Sequence, residues 1–394
     1  MARILLAWEL GDGLGHVMRL LPLARRLKAD GHDCVFAVRT VPTSYGVIVR
    51  DGFPVLQAPM LVPHASEDVR TKPIGSYGDI IATIGFDDVD RLLPMVEAWQ
   101  GLIDTVRPKI VVGDYAPTLA LATHGWFPLV LLGDGFTLPP PSLPKFPDFR
   151  STGPRVPEAQ LLAVVHETQR RRNRPLPPTL PAILTARETF IITLPELDFY
   201  RSQRPKPAVG PLTALPPPAT DPPIDDYFCY LSLGYQHTAK VLDGLIASGR
   251  TGSCYIRDAD KGQIQRLRER GLIIHDQPPP MAEIGAKVGV IVHHGGLGTT
   301  ETAMALGRPQ ILVPRHGEQY MNAHNLGRLG IAAQMKGRGE FAPDHVVQAL
   351  NGVLTAPAYA ARAADCARGI GRRGPQRALD IIASACTRLI EDRD

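Results

Sequence analysis

The sequence predicts an α/β protein made of two Rossmann-like domains, and three observations carry that expectation. The chain has 394 residues, more than a single hydrophobic core usually organises, so two domains of ordinary size are expected. Short apolar runs recur, each closed by a Gly- or Asp-bearing turn and followed by helical spacing of apolar residues. Between two such series, Arg204 to Pro223 is dense in Pro and Ala without a hydrophobic period, the composition of an exposed linker.

The elements follow in order. Ile4 to Trp8 is a short apolar run ending in a Gly-rich turn; Val17, Leu20, Leu21, Ala24 and Leu27 then lie on one helix face, and Cys34 to Val38 reads as the next strand. This is a βαβ opening. Ile110 to Val112, closed by a polar turn at Asp114, and Leu129 to Leu132 repeat the pattern, which implies a parallel sheet covered by helices. Beyond the linker, strands are expected at Tyr227 to Leu233, Val288 to Val292 and Ile311 to Val313. The tail from Gln376 to Ile390 places Ala378, Ile381, Ile382, Ala385 and Leu389 on one face of an amphipathic helix. The expected division is residues 1–205 for the N-terminal domain, 206–223 for the linker and 224–375 for the C-terminal domain, with 376–394 a helix able to cross back.

Composition narrows the function classes. With 44% hydrophobic and 21% charged residues the chain is globular rather than disordered or membrane-embedded. A formal charge of +4, without a basic stripe interleaved with aromatics, gives no reason to expect nucleic acid as a partner. Cys34, Cys229, Cys254, Cys366 and Cys386 are scattered and form no CxxC pair, which argues against a disulfide framework and a zinc site. The apolar start from Ile4 to Leu10 is short and interrupted by Glu9 and Asp12, unlike a signal peptide or a membrane span. These features point to a cytoplasmic enzyme without a transmembrane segment.

The chemistry concentrates in His293-His294-Gly295-Gly296-Leu297-Gly298-Thr299-Thr300, which follows an apolar strand and precedes the helical run Ala303 to Leu306. Glycines let backbone N–H groups approach phosphate oxygens, the helix points its positive end at them, and His and Thr side chains add donors. By itself such a turn only reverses a chain in many α/β proteins. Here it is followed by Gly307-Arg308-Pro309, Pro314, Glu318-Gln319 and Asn322-Ala323. This block resembles the donor-binding signature of the UDP-glycosyltransferase superfamily, which includes plant secondary-metabolite enzymes, bacterial antibiotic glycosyltransferases and, more distantly, the peptidoglycan GlcNAc transferase. The register needs no gap against the plant form.

The resemblance implies the GT-B fold, two facing Rossmann-like domains with a cleft between them. It puts His294 and Thr299, with the backbone of Gly295, Gly296 and Gly298, on the diphosphate, and Glu318 and Gln319 on the sugar hydroxyls. A carboxylate accepts from two hydroxyls and an amide both donates and accepts. The plain alternative is that Glu318 and Gln319 cap the helix that follows. Asn322 falls within the same register. The family's ribose-binding Glu position holds Thr302, with Glu301 one residue earlier, a rotation of about 100° on a helix. The loop of Ser232 and Gly234 also maps to the donor site, but it carries Tyr235 where relatives often have a small hydroxyl residue. The plant base-stacking Trp falls near Asp276. UDP is the expected nucleotide, with dTDP second.

The first turn, Gly11-Asp12-Gly13-Leu14-Gly15-His16, resembles the loop in which the superfamily carries a cleft-facing His, and so implies a general base for the acceptor. An imidazole, ordinarily titrating near pH 6.5, suits that task. Asp114 matches the carboxylate that pairs with this His in plant relatives. The alternatives are a helix-entry His bound to its loop and an Asp that caps the next helix. Arg19 stands where most relatives have Pro; it would suit an anionic acceptor or be a solvated surface residue. The run Arg170-Arg171-Arg172-Asn173-Arg174 closes an amphipathic segment, which favours a helix C-terminus or peripheral contact with a membrane. The acceptor falls to the loops 59–77 and 138–157.

The expected reaction is inverting transfer of a sugar to a hydroxyl or amine of a small-molecule or lipid-like acceptor. The nucleotide sugar is a co-substrate, and no cofactor and no catalytic metal are expected. Asp88-Val89-Asp90 lies in a helix-like stretch, where residues two apart do not face one another. A UDP-sugar 2-epimerase on the same fold and a non-catalytic sugar-nucleotide-binding protein are the alternatives. A dehydrogenase would need Gly at position 16 and an acidic residue where the second strand ends at Arg39.

Overall fold

A computed structural model describes residues 1–11, 13–61, 74–149, 151–221, 223–335, 341–374 and 377–392. Asp12 of the first turn, residues 62–73 of the first acceptor loop, Arg150 of the second and Gln376 at the head of the tail lie outside the described residues. The chain divides into two units, Met1–Thr213 with Arg377–Asp394 and Ala214–Gln376.

The first unit holds β1 (Arg3–Trp8), β2 (Asp33–Val38), β3 (Val55–Gln57), β4 (Ile110–Asp114), β5 (Leu129–Gly133) and β6 (Glu188–Ile191) in one parallel sheet of order β3-β2-β1-β4-β5-β6. Its interior strands are buried on both faces, so their apolar residues run continuously instead of alternating with polar ones. Ile4, Leu6 and Trp8 face Val17, Leu20 and Leu27 of the helix Gly15–Ala29, together with Ile382, Cys386 and Ile390 of the C-terminal helix Ala378–Glu391. Leu5 and Ala7 face the other layer, where Val96, Trp99 and Ile103 of the helix Val89–Val106 pack.

The second unit repeats the path. Strands β7 (Asp225–Ser232), β8 (Gly252–Arg257), β9 (Ile273–Ile274), β10 (Val288–His293), β11 (Gln310–Leu312) and β12 (Ala332–Gln334) form a parallel sheet of order β12-β11-β10-β7-β8-β9. Cys229 and Leu231 pack on Val241, Leu245 and Leu350, while Phe228 and Ile291 meet Ala303 on the opposite face. Within each unit the chain starts in the middle, winds to one edge, and returns to build the other half. The reversal opens a crevice at the C-terminal ends of the two central strands, which is where open α/β sheets bind ligands. Those ends belong to β1 and β4 in one unit and to β7 and β10 in the other.

Asp88 accepts the Asp90 N–H at 2.8 Å and caps the helix Val89–Val106, whereas Asp90 pairs with Arg171 at 3.4 Å. Arg171 also bonds Glu167 at 3.0 Å, Arg172 bonds Gln169 at 2.7 Å, and the Arg174 guanidinium lies 4.1 Å from the Trp126 ring centre. Much of the cationic run thus has partners within its own unit. Among the described residues no helix is long and apolar enough to cross a membrane.

Candidate functional site

Each crevice holds a histidine with a defined set of partners. In the first unit, Gly11 takes φ +88, a conformation that costs an L-residue energy, and turns the chain from β1 towards the helix that carries His16. A Cβ built on Gly11 would stand 2.3 Å from His16 Nε2, so the imidazole packs directly against the bare backbone of the turn. The ring stacks on Trp8 at 5.3 Å and lies 5.8 Å from Tyr115, which sits just past β4 at φ +49. His16 Nδ1 is 3.0 Å from Asp114 Oδ2 at the end of β4, and both residues are buried.

This geometry fixes the tautomer. Burial alone would raise the Asp114 pKa, but the charges of Arg19 and His16 outweigh it and hold the carboxyl below its ordinary value. An ionised carboxylate only accepts, so at 3.0 Å from Asp114 Nδ1 carries the hydrogen and Nε2 keeps its lone pair, the form a general base requires; the longer approach of Arg19 Nη2, also a donor, is then not a hydrogen bond. Arg19 is not a solvated surface residue. Its Nη1 is 3.3 Å from Asp134 Oδ2, its Nε 3.6 Å from Asp114 Oδ2, and its Nη2 3.3 Å from His16 Nδ1. Asp114 therefore meets both His16 and Arg19 and does not serve as an ordinary helix cap.

Two carboxylates of this cluster have no counterpart in the sequence reading. Asp134 follows β5, accepts the N–H groups of Phe136 at 2.9 Å and Thr137 at 2.8 Å through Oδ1, and holds Arg19 through Oδ2. The signal for it was an acidic residue between Gly133 and Gly135 at a strand end, the same grammar as Asp114. Glu9, read only as a break in an apolar run, is the residue that caps. Its Oε2 accepts the N–H groups of Thr118 at 3.0 Å and Leu119 at 3.3 Å in the first turn of the helix Pro117–Thr123. Its Oε1 is buried without a partner, and burial pushes the pKa up to about 7.

In the second unit, β10 ends at His293 and the helix Leu297–Leu306 begins after the turn at Gly295, φ +91. His293 Nδ1 accepts the Gly295 N–H at 3.0 Å, so Nε2–H donates to Gln310 Oε1 at 2.8 Å. Burial pushes the His293 pKa down to about 4 and keeps the ring neutral. Asn322 Nδ2 donates to Gly295 O at 3.0 Å, tying the turn to the helix Gly317–Leu329. In the structure, then, Asn322 braces the turn itself.

His294 is half-buried, with Nδ1 2.8 Å from Val313 O and Nε2 accepting the Ser232 N–H at 3.0 Å. Ser232 Oγ donates to Asp258 at 3.1 Å, and the Tyr235 ring stands edge-on to His294 at 5.2 Å. Gly234 lies in the same loop, two residues after Ser232. Gly296 caps the helix, and Gly298 and Thr299 sit in its first turn. A Cβ at Gly296 or Gly298 would meet nothing within 4 Å, so the chain is uncrowded on that side. Arg257 at the end of β8 and Arg315 after β11 add positive charge near His294. A helix N-terminus, a histidine and two arginines are an arrangement suited to an anion.

The remaining candidates divide. Glu318 is partly exposed in the first turn of its helix, whereas Gln319 is buried and its Oε1 accepts the Arg315 N–H at 2.8 Å. One end of the Gln319 amide therefore serves the helix start, leaving Nε2–H to donate. Glu301 is buried at 5% exposure, while Thr302 Oγ1 bonds back to Gly298 O at 2.8 Å. Asp276 pairs with Arg268 at 3.0 Å and offers no aromatic face to a base.

Residues 277–371 match the family described as erythromycin biosynthesis protein CIII-like, C-terminal domain. The chain is 24% identical over 333 residues to the L-demethylnoviosyl transferase of Streptomyces niveus, covering 81% of each. It is 31% identical over 135 residues to the UDP-N-acetylglucosamine–N-acetylmuramyl-(pentapeptide) pyrophosphoryl-undecaprenol N-acetylglucosamine transferase of Nitrobacter hamburgensis, a match spanning 32% of this chain and 36% of that relative. Among solved structures, the calicheamicin glycosyltransferase CalG4 aligns with a TM-score of 0.71 at 20% identity, over 97% of this chain and 98% of that one. The spinosyn rhamnosyltransferase SpnG, solved with thymidine diphosphate, aligns with a TM-score of 0.66 at 16% identity, over 97% and 99%.

Proposed function

We propose that this chain, which belongs to the UDP-glycosyltransferase superfamily of GT-B fold, moves a sugar from a nucleoside-diphosphate sugar to a hydroxyl or amine of a small-molecule or lipid-like acceptor, with inversion at the anomeric carbon. One observation carries the reading. The central strands of one sheet end in a base-competent His16–Asp114 pair, and those of the other end in a phosphate-type turn at His294.

The turn from Gly295 to Thr299 binds the diphosphate, and Glu318 with the Nε2–H of Gln319 binds the sugar. His16 Nε2 takes the acceptor's proton as its oxygen or nitrogen bonds to the anomeric carbon. The sugar–phosphate C–O bond breaks on the opposite face, and its electron pair leaves with the diphosphate. Asp114 then stabilises the imidazolium through the Nδ1–H bond. UDP is the proposed nucleotide and dTDP the second; a relative whose name includes UDP and a solved neighbour that holds thymidine diphosphate support one each.

The test is an acceptor screen against UDP- and dTDP-sugars, with the product's anomeric configuration read by NMR. Inversion, with turnover lost in His16→Ala, is expected. Retention refutes the base-assisted route, and conversion of the sugar nucleotide without any acceptor refutes the transferase reading in favour of epimerisation.

A further inference from the structure

We infer that His294 holds the donor diphosphate as an imidazolium, taking up one proton when the nucleoside diphosphate displaces the Ser232 amide from its Nε2. This rests on the donor site proposed above and adds to it the charge state of its central side chain.

In the structure both ring nitrogens are committed. The Val313 carbonyl only accepts, so Nδ1 carries a hydrogen; the Ser232 amide only donates, so Nε2 presents its lone pair. A neutral imidazole fixed in this way has no hydrogen left for a phosphate oxygen. The Ser232 N–H has a single hydrogen, which the diphosphate and Nε2 cannot share well. Once the anion takes it, a half-buried acceptor nitrogen is left facing an acceptor oxygen, which is repulsive. A proton from solvent on Nε2 converts that contact into a charge-assisted hydrogen bond, while Nδ1–H stays on Val313.

The groups around the ring explain why the proton is absent before the ligand arrives. Burial, and then the positive charges of Arg315, Arg257 and His316, push the His294 pKa down to about 4, against the opposing bond to Val313 O. Arg257 comes from the end of β8, and Arg315 and His316 from the turn after β11. Asp258, held through the Ser232 hydroxyl and paired with Arg257 at 3.3 Å, is the acidic neighbour. Tyr235 meets the ring by its edge, and His293 stays neutral between Gly295 and Gln310. A bound diphosphate reverses the sign of this field at close range, and an opposite charge within about 4–6 Å favours the protonated ring.

The experiment is calorimetric titration of UDP and of dTDP into the full chain at about pH 7.5, in buffers of different ionisation enthalpy. Net uptake of about one proton is expected, with affinity falling by up to about tenfold per pH unit as pH rises from the free-state value of about 4 towards the pKa of the complex, and levelling off above it. His294→Gln offers an amide N–H that does not titrate; it is expected to bind within roughly tenfold of the parent and to lose the uptake. Binding without proton uptake, or uptake that survives in His294→Gln, overturns the inference while leaving the donor site standing. Failure of both nucleotides to bind overturns the two together.

Discussion

Replacing Asp114 by Asn is the sharpest perturbation of the first site, because it preserves shape and alters charge and hydrogen-bond sense. The parent carboxylate is fully buried, 3.0 Å from His16 Nδ1 and 3.6 Å from Arg19 Nε. His16 Nδ1 and Arg19 Nε both meet Oδ2, while Oδ1 is buried without a partner. Arg19 only donates, so the new amide keeps its oxygen at that position and its NH2 on the Oδ1 side; the tautomer is retained and the negative charge beside the ring is lost. Loss of a charge-assisted hydrogen bond to the forming imidazolium is worth about 1.5–3 kcal/mol, roughly a 10- to 100-fold drop in rate. With the tautomer kept, the fall in kcat should stay on that order. Steady-state rates with a working acceptor measure it, while calorimetry should find UDP binding within about twofold of the parent. A variant that retains a third or more of the parental kcat would show that the Asp114 charge does not stabilise the imidazolium.

Three further outcomes are expected. Gly11→Ala forces a Cβ into the place of His16 Nε2, 2.3 Å away, at φ +88; the strain of about 1–2 kcal/mol should lower the melting temperature by only a few degrees while turnover collapses. Asn322→Ala removes the donor to Gly295 O, so stability should fall by about 1–3 kcal/mol and UDP affinity with it, both read by titration. Glu9→Gln tests pH dependence. The Glu9 pKa rises on folding from 4.5 to about 7, so its contribution is fully present below about pH 4.5 and is lost as pH rises through 7, a difference of about 3 kcal/mol. Gln keeps an acceptor for the Thr118 and Leu119 amides but cannot ionise. Denaturant unfolding should therefore find the variant more stable than the parent at pH 8 and no more stable at pH 4.5, and equal differences at both would refute the buried-acid account.

What the sequence shows of the fold follows from burial. Interior strands covered on both faces leave unbroken apolar runs, which is why β1, β4, β5, β7 and β10 stand out. The edge strands β3, β6, β9 and β12 are two to four residues long and carry no such run. Candidates at the strand ends were legible because a parallel sheet delivers its chemistry there. Their partners were less so. Asp134 is separated from Arg19 by 115 positions, and an acidic residue in a Gly-bordered turn looks the same whether it caps, pairs or catalyses. The tautomer of His294 depends on one main-chain carbonyl and one main-chain amide, and no side-chain pattern encodes either.

Under the proposed function the two crevices face opposite electrostatic problems on the same scaffold. A base must gain charge during turnover, so His16 is placed against an ionised Asp114, with Arg19 and Asp134 balancing one another beside it. Counting Asp114, Asp134, Arg19 and His16, the group is anionic while the imidazole is neutral and becomes neutral overall once it takes a proton, so protonation relieves charge in a buried place. A diphosphate site must instead wait for charge brought by its ligand. A carboxylate bonded to either histidine of the turn would hold the ring charged before the anion came, and would repel the anion on arrival. His293 and His294 are bonded to an amide oxygen, a carbonyl and backbone N–H groups. Both pKa values are low, and among the positive charges near His294 those of Arg315 and Arg257 persist at any physiological pH.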